Sequence, residues 1–250
     1  MRAPRRLTAR APARWPRLLT LGASLPAAAA LGWAAARRGR GASRRTGAGR
    51  PGASRPAGVG RPGSAEALAL LGARQPEVRV GAIYALERAA IRSAEEHPVV
   101  MSVLAAFVRE HSHPAQPDVQ AALTVIGRRA SDRDQEPIDL TGADLARLHL
   151  PGADLTGARL ARARFRAADL HGAALGGADL TGADLALADL TGADLAGANL
   201  TAADLTGARL AGAYLVGATL TRATLANADL TGALFLHKDA QAAGWTGPVS

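Results

Sequence analysis

The sequence predicts an α+β chain in three parts: a basic N-terminal arm, a short α-helical segment, and a coil of short extended segments wound about one axis. Three observations carry that prediction. The first 65 residues hold fourteen Arg and no carboxylate. Apolar residues recur at helical spacing between about 64 and 130. From residue 140 to 235 every fifth residue is Leu or Phe, in twenty positions out of twenty.

Charge separates the arm from the rest. The net +9 divides into +14 for residues 1–65, −2 for 66–136 and −3 for 137–250. Residues 1–63 are read as a basic low-complexity arm. Within it, "LLTLGASLPAAAALGWAAA" (18–36) is a run of nineteen uncharged residues, long enough to cross a bilayer. Its content is mostly Ala, it carries Pro26, and Arg clusters flank both ends, against the positive-inside tendency. Three readings stay open: a disordered extension, a membrane anchor or interfacial segment, and a cleaved signal. The location that follows is cytoplasmic or cytoplasmic-membrane associated. Residues 38–63 are Gly, Pro, Arg and Ser with almost nothing to bury, which predicts disorder. Such a run attracts anionic lipid or nucleic acid through charge alone. It has no aromatic to stack a base, so specific nucleic-acid reading is not expected.

Residues 64–136 are read as a short α-helical domain of three or four helices. Val100, Val103, Leu104, Phe107 and Val108 fall on one helix face, and Val119, Ala122, Leu123 and Ile126 repeat the spacing. Val80, Ile83, Tyr84 and Leu86 form a similar stripe, and Pro98 suits a first helical turn. The segments "EVRVGAIYALERAA" and "DVQAALTVIGRR" resemble second helices of HEAT-type repeats.

A period of five fits neither regular element. In a helix, a step of five rotates by about 140° net and spirals the leucines over every face. In a straight strand an odd step alternates faces. A chain that turns a corner after each short extended segment points every Leu at a common axis. The residue two before each Leu or Phe is Ala in eighteen of twenty cases, Ile138 and Leu148 being the exceptions. It shares the inward face, and its small size suits a crowded corner. The residue between faces out: ten of the twenty are Asp and one is Asn199. Two after each Leu comes Gly in twelve of nineteen places, where a turn needs a permissive backbone.

This pattern, A(D/N)LXX over 137–236, resembles the pentapeptide-repeat family. The resemblance implies a right-handed quadrilateral β-solenoid with four units per coil, hence about five coils. Helices leading into such repeats resemble the arrangement in some actinobacterial members. The helical segment is expected to cover one end of the stack, and residues 237–250, with Trp245, the other.

The sequence offers few groups suited to catalysis or ligand binding. The absence of Cys excludes disulfides and thiolate metal sites. His111 and His113 flank a Ser before Pro114, with no clustered carboxylate to complete a metal site. His149 and His171 take outward repeat positions. No catalytic, cofactor-binding or metal-binding residue is expected, and the chain is read as a non-enzyme. Arg159, Arg162, Arg164 and Arg166 interrupt the Asp pattern within one coil, as charge-balancing ladders or as a docking patch for an acidic partner. Register sets Arg159 near Asp139 and Asp179, and Arg164 near Asp144 and Asp184. The functional expectation is a non-enzymatic protein-interaction scaffold, with membrane association through 18–36 as one version. Two alternatives stand beside it. One is a DNA mimic that protects DNA gyrase, as the family resemblance implies for some members. The other is an electrostatic binder of anionic lipid or nucleic acid through the arm.

Overall fold

The computed structural model describes residues 63–112 and 116–235. The expectations for residues 1–62, for the 18–36 anchor, for His113, and for the 237–250 cap with Trp245 lie outside the described residues. Among the described residues, no helix is long and apolar enough to cross a membrane.

Four helices come first: α1 (Ser64–Leu70), α2 (Pro76–Arg92), α3 (Glu96–His111) and α4 (Pro117–Gly127). Proline opens α2 and α4, where its missing N–H removes a donor that would lack an intrahelical partner. The apolar stripes turn inward as their spacing requires: Ile83, Leu86, Leu104, Val108, Val119 and Ile126 are fully buried. Helix α2 packs on α1, α3 and α4, and α3 packs on α4. One buried ion pair ties α2 to α4, with Arg79 Nε 2.5 Å from Asp118 Oδ2. Removing Asp118 would leave a guanidinium with only the carbonyls of Ala73 and Arg74 as partners.

After a short 3₁₀ turn (Ser131–Arg133) the chain begins to wind. Among the described residues, sixteen parallel bridges each join residues twenty apart, in four columns starting at Asp139, Asp144, His149 and Asp154. The four columns define faces 1 to 4 of a β-solenoid. No continuous strand forms among the described residues. The extended part of each five-residue unit is too short for one, because the rest is consumed by the turn. The inward row is sealed: Leu140, Leu160, Phe165, Leu180, Leu200 and Leu210 have no accessible surface. The two departures from Ala, Ile138 and Leu148, lie in the first coil and join the same core as the helices. Each such Leu contributes roughly 1.5–3 kcal/mol of burial before entropy is subtracted.

Corners obey a single rule. The N–H of the inward Ala returns to the carbonyl of the preceding Leu, as from Ala163 to Leu160 at 3.0 Å. The residue before that Ala has positive φ in all nineteen turns: twelve glycines, and also Arg147, Arg162, Ala167, Leu187, Ala202, Arg222 and Asn227. This left-handed third position is what a type II turn demands. The glycines were visible as turn markers. The seven non-glycine residues take the same conformation, so the tertiary stack overrides local preference at about 1–2 kcal/mol each.

Helices and solenoid share one continuous apolar core. They also share hydrogen bonds at the coil's first edge, one set per face. Arg109 donates to the Asp139 carbonyl. Ser112 Oγ accepts the Asp144 N–H at 3.1 Å. The Gln120 amide accepts the His149 N–H at 3.0 Å and donates to the His149 carbonyl at 2.6 Å. The Gly127 carbonyl accepts the Asp154 N–H at 2.8 Å, and Arg129 donates to the Asp154 carbonyl at 2.5 Å. Each of the four residues that would bridge to a preceding coil meets a group from the helical segment instead. Gly127 is required by proximity: a Cβ there would lie 2.8 Å from that of Ala153.

Candidate docking surface

The outward row is made by the turn as much as by solvent. All ten Asp in the described outward positions, and Asn199, accept the N–H of the residue two further on, at 2.9–3.3 Å. Asp is therefore an Asx cap on each turn, where the sequence reading had it only as a solvated residue. Threonine at that further position often adds its hydroxyl, as Thr181 and Thr231 do to Asp179 and Asp229 at 2.5 and 2.6 Å.

These bonds set the electrostatics of the wall. Hydrogen bonds from Thr206 hold the Asp204 carboxyl below its ordinary value, and those from Thr231 do the same for Asp229. At Asp139, Asp154, Asp169 and Asp189 burial is the largest single influence and pushes upward. Hydrogen bonds and nearby cations outweigh it, so these four are also lowered. These six carboxylates are thus held as anions and as turn acceptors, the opposite of the raised pKa a general acid needs.

The four Arg singled out by sequence occupy two adjacent faces of the second coil. The backbone of Arg159 pairs with those of Asp139 and Asp179 on face 1, and that of Arg164 with those of Asp144 and Asp184 on face 2, as the twenty-residue register requires. Arg164 Nη1 reaches Asp144 Oδ2 at 3.2 Å, and on face 3 Arg209 reaches Asp189 at 2.8 Å. Arg162 stands at the corner between faces 1 and 2, and its Cγ lies over Gly182 of the next coil. Arg166 is exposed in the corner between faces 2 and 3, and Arg147 sits at the same corner one coil earlier, its N–H bonded to the Arg166 carbonyl at 3.0 Å. Among the described residues no ion pair engages Arg147, Arg162 or Arg166. Arg147 belongs with this group although its position in the preceding coil hid it from a reading that grouped only neighbours in sequence.

The histidines resolve into separate roles. His111 stacks on Phe107 with ring centroids 4.3 Å apart. His97 is buried at 3% exposure and meets Asp134 at 2.9 Å, which in turn takes Arg129 at 2.6 Å. His149 and His171 converge on Asp169 from either side, at 2.6 and 2.8 Å. Among the described residues no group of three His, Asp or Glu is placed to hold a metal ion. A cleft of about 480 Å³ lies between α4 and the first coil, lined by Leu123, Thr124, Gly127, Arg128, Leu150 and Pro151 among others. Arg128 there donates from Nε and Nη2 to the two carboxylate oxygens of Glu87, each at 2.7 Å.

A family model described as pentapeptide repeats matches residues 138–175, 168–207 and 198–235. No curated protein matches the chain. Among solved structures, a pentapeptide repeat protein of the Arabidopsis thaliana thylakoid lumen is 41% identical, over 37% of this chain and 68% of its own, at TM-score 0.32. One from the cyanobacterium Cyanothece 51142 is 34% identical, over 42% and 64%, at TM-score 0.28. QnrB1, a plasmid-mediated fluoroquinolone resistance protein, is 21% identical over 42% and 61%, at TM-score 0.35. The chain thus spans between 61% and 68% of the lengths of these three. Twenty unbroken five-residue units, the twenty-residue bridge register and the family match agree, and the chain belongs to the pentapeptide-repeat family.

Proposed function

We propose that the protein is a non-enzymatic interaction scaffold, in which a rigid stack presents a basic patch to an acidic protein partner. In this reading residues 137–236 form a right-handed squared solenoid of about five coils, 64–136 its helical lid, and 237–250 its closing tail. The patch comprises Arg159, Arg162, Arg164 and Arg166. One observation carries the proposal: Arg162 and Arg166 are exposed on adjoining parts of the second coil, and neither makes a close ion pair among the described residues, Arg166 acting only at longer range on Asp204. A cation that stabilises the fold would be expected to carry such a pair, as Arg79 and Arg129 do. The stack itself favours docking over chemistry, since its Asp side chains are committed to turns.

The DNA-mimic alternative is less well supported by the surface. An acidic rod needs continuous anionic rows, and Arg164 and Arg209 neutralise Asp144 and Asp189 within theirs. A test compares affinity capture from native cells by the full chain and by the Arg162→Glu/Arg166→Glu variant. The proposal expects at least one abundant partner to be lost from the variant. Identical captured sets, or inhibition of gyrase supercoiling equal in the two proteins, would overturn it.

A further inference from the structure

Leu187 is anomalous twice over. It occupies a corner whose φ is +61°, a conformation that twelve of the nineteen corners give to Gly, and it is 55% exposed. The other non-glycine corners carry Arg, Ala or Asn, so it is the one large aliphatic side chain among them. Seven corners share the strain, and Ile91 and Leu234 are as exposed, so what sets Leu187 apart is that strain and apolar exposure coincide at one position. Its surroundings make room for it. Ala167 lies one coil before it in the same corner and Gly207 one coil after, where a Cβ would come within 2.9 Å of Leu187 Cδ2.

Charges of both signs border this corner. Arg147 lies two coils before Leu187 in the same column, and Arg166 adjoins the column one coil before. Asp144, Asp184 and Asp204 border it on face 2, and Asp169 and Asp189 on face 3; Asp144 is paired with Arg164, and Asp169 with His149 and His171. With coils about 4.8 Å apart, the backbones of Arg166 and Arg147 are offset along the stack by roughly 5 and 10 Å from that of Leu187, a distance two or three extended residues cover.

We propose that the corner between faces 2 and 3 is the specificity element of the docking surface. It takes an extended segment of a partner protein in which an acidic pair is followed, two residues on, by one large apolar side chain. The acidic residues meet Arg147 and Arg166, and the apolar one covers Leu187. The occupant comes from another molecule, because residues 1–65 contain no carboxylate and 236–250 contain only Asp239. This inference rests on the scaffold reading and names the chemistry that its patch selects.

The test uses the full chain at physiological salt with two fluorescein-labelled peptides, Ser-Asp-Asp-Gly-Leu-Ser and the same sequence with Ser in place of Leu. Both carry the same charge, so attraction to the Arg-rich arm cancels in their ratio. The expected result is roughly tenfold tighter binding of the Leu peptide to the wild type. Leu187→Gly should bring the ratio close to one, and Arg147→Glu/Arg166→Glu should weaken the Leu peptide by a similar factor. Leu187→Gly also relieves a strained backbone, so its loss of binding does not come from unfolding. A photoreactive leucine in the peptide should label residues around 166–207. Equal binding of the two peptides, labelling confined to residues 1–62, or self-association that needs Leu187 would each overturn the inference. Failure here with capture still lost in the Arg162→Glu/Arg166→Glu variant would leave the scaffold reading standing.

Discussion

Replacing Gln120 by Ala isolates the cap on face 3. The side-chain amide of Gln120 does for His149 what a neighbouring coil would do, taking its N–H at 3.0 Å and giving to its carbonyl at 2.6 Å. Its substitution removes both bonds at once. A backbone hydrogen bond contributes about 0.5–1.5 kcal/mol net, so two are worth about 1–3 kcal/mol. Water reaches this exposed edge and recovers part of that, which sets the expectation at the lower end. For a domain of 150–250 residues, 1 kcal/mol corresponds to a Tm shift of about 2–4 °C. The sharper readout is local. The His149 amide should exchange with solvent at least about tenfold faster in Gln120→Ala, while the Arg164 amide, bonded to the Ala143 carbonyl inside the stack at 2.9 Å, keeps its protection. Gln120→Glu should fall between, keeping an acceptor for the N–H and losing the donor to the carbonyl. Unchanged His149 exchange in Gln120→Ala, with Tm within about 1 °C, would refute the view that the helical segment terminates the edge through this side chain.

Three further outcomes follow from the same geometry. Asp184→Ala, which removes the acceptor of the Ala186 N–H, should cost about 1 kcal/mol, whereas Leu185→Ala beside it should cost about 2–5 kcal/mol through its cavity; thermal melts that coincide would contradict the two assignments. Gly207→Ala should destabilise by about 1 kcal/mol, since φ is +66° and the new Cβ meets Leu187 Cδ2, and the penalty should shrink in a Leu187→Ala background; an undiminished penalty would assign it to backbone strain alone. Lowered carboxylates stabilise the fold once ionised, so stability is complete above their ordinary value near 4. It should fall as pH drops below about 4 and through the lower folded values of Asp139, Asp169, Asp189 and Asp204, and urea midpoints flat from pH 6 to pH 3 would refute this.

What could be read from the sequence depended on whether the cause was local. The inward Leu and Ala rows were legible because one spatial requirement, a common axis, repeats twenty times. The helix stripes at Ile83, Leu104 and Val119 were legible for the same kind of reason. The Asx role of Asp184 was not, because outward polarity and turn capping select the same residue. Nor was the grouping of Arg147 with Arg166, which depends on the displacement between successive coils rather than on chain proximity. His149 and His171 looked unrelated until the register placed Asp169 between them. The strain at Leu187 was hidden because it belongs to the turn, and only the shared φ of all nineteen corners reveals it.

The four groups from Arg109, Ser112, Gln120 and Gly127 that occupy the leading rim have a consequence for assembly. A filament grows by joining one molecule's front to another's back, and here the front is already taken by the chain itself. A stack whose leading rim is closed by its own helices cannot take part in head-to-tail growth through the axis.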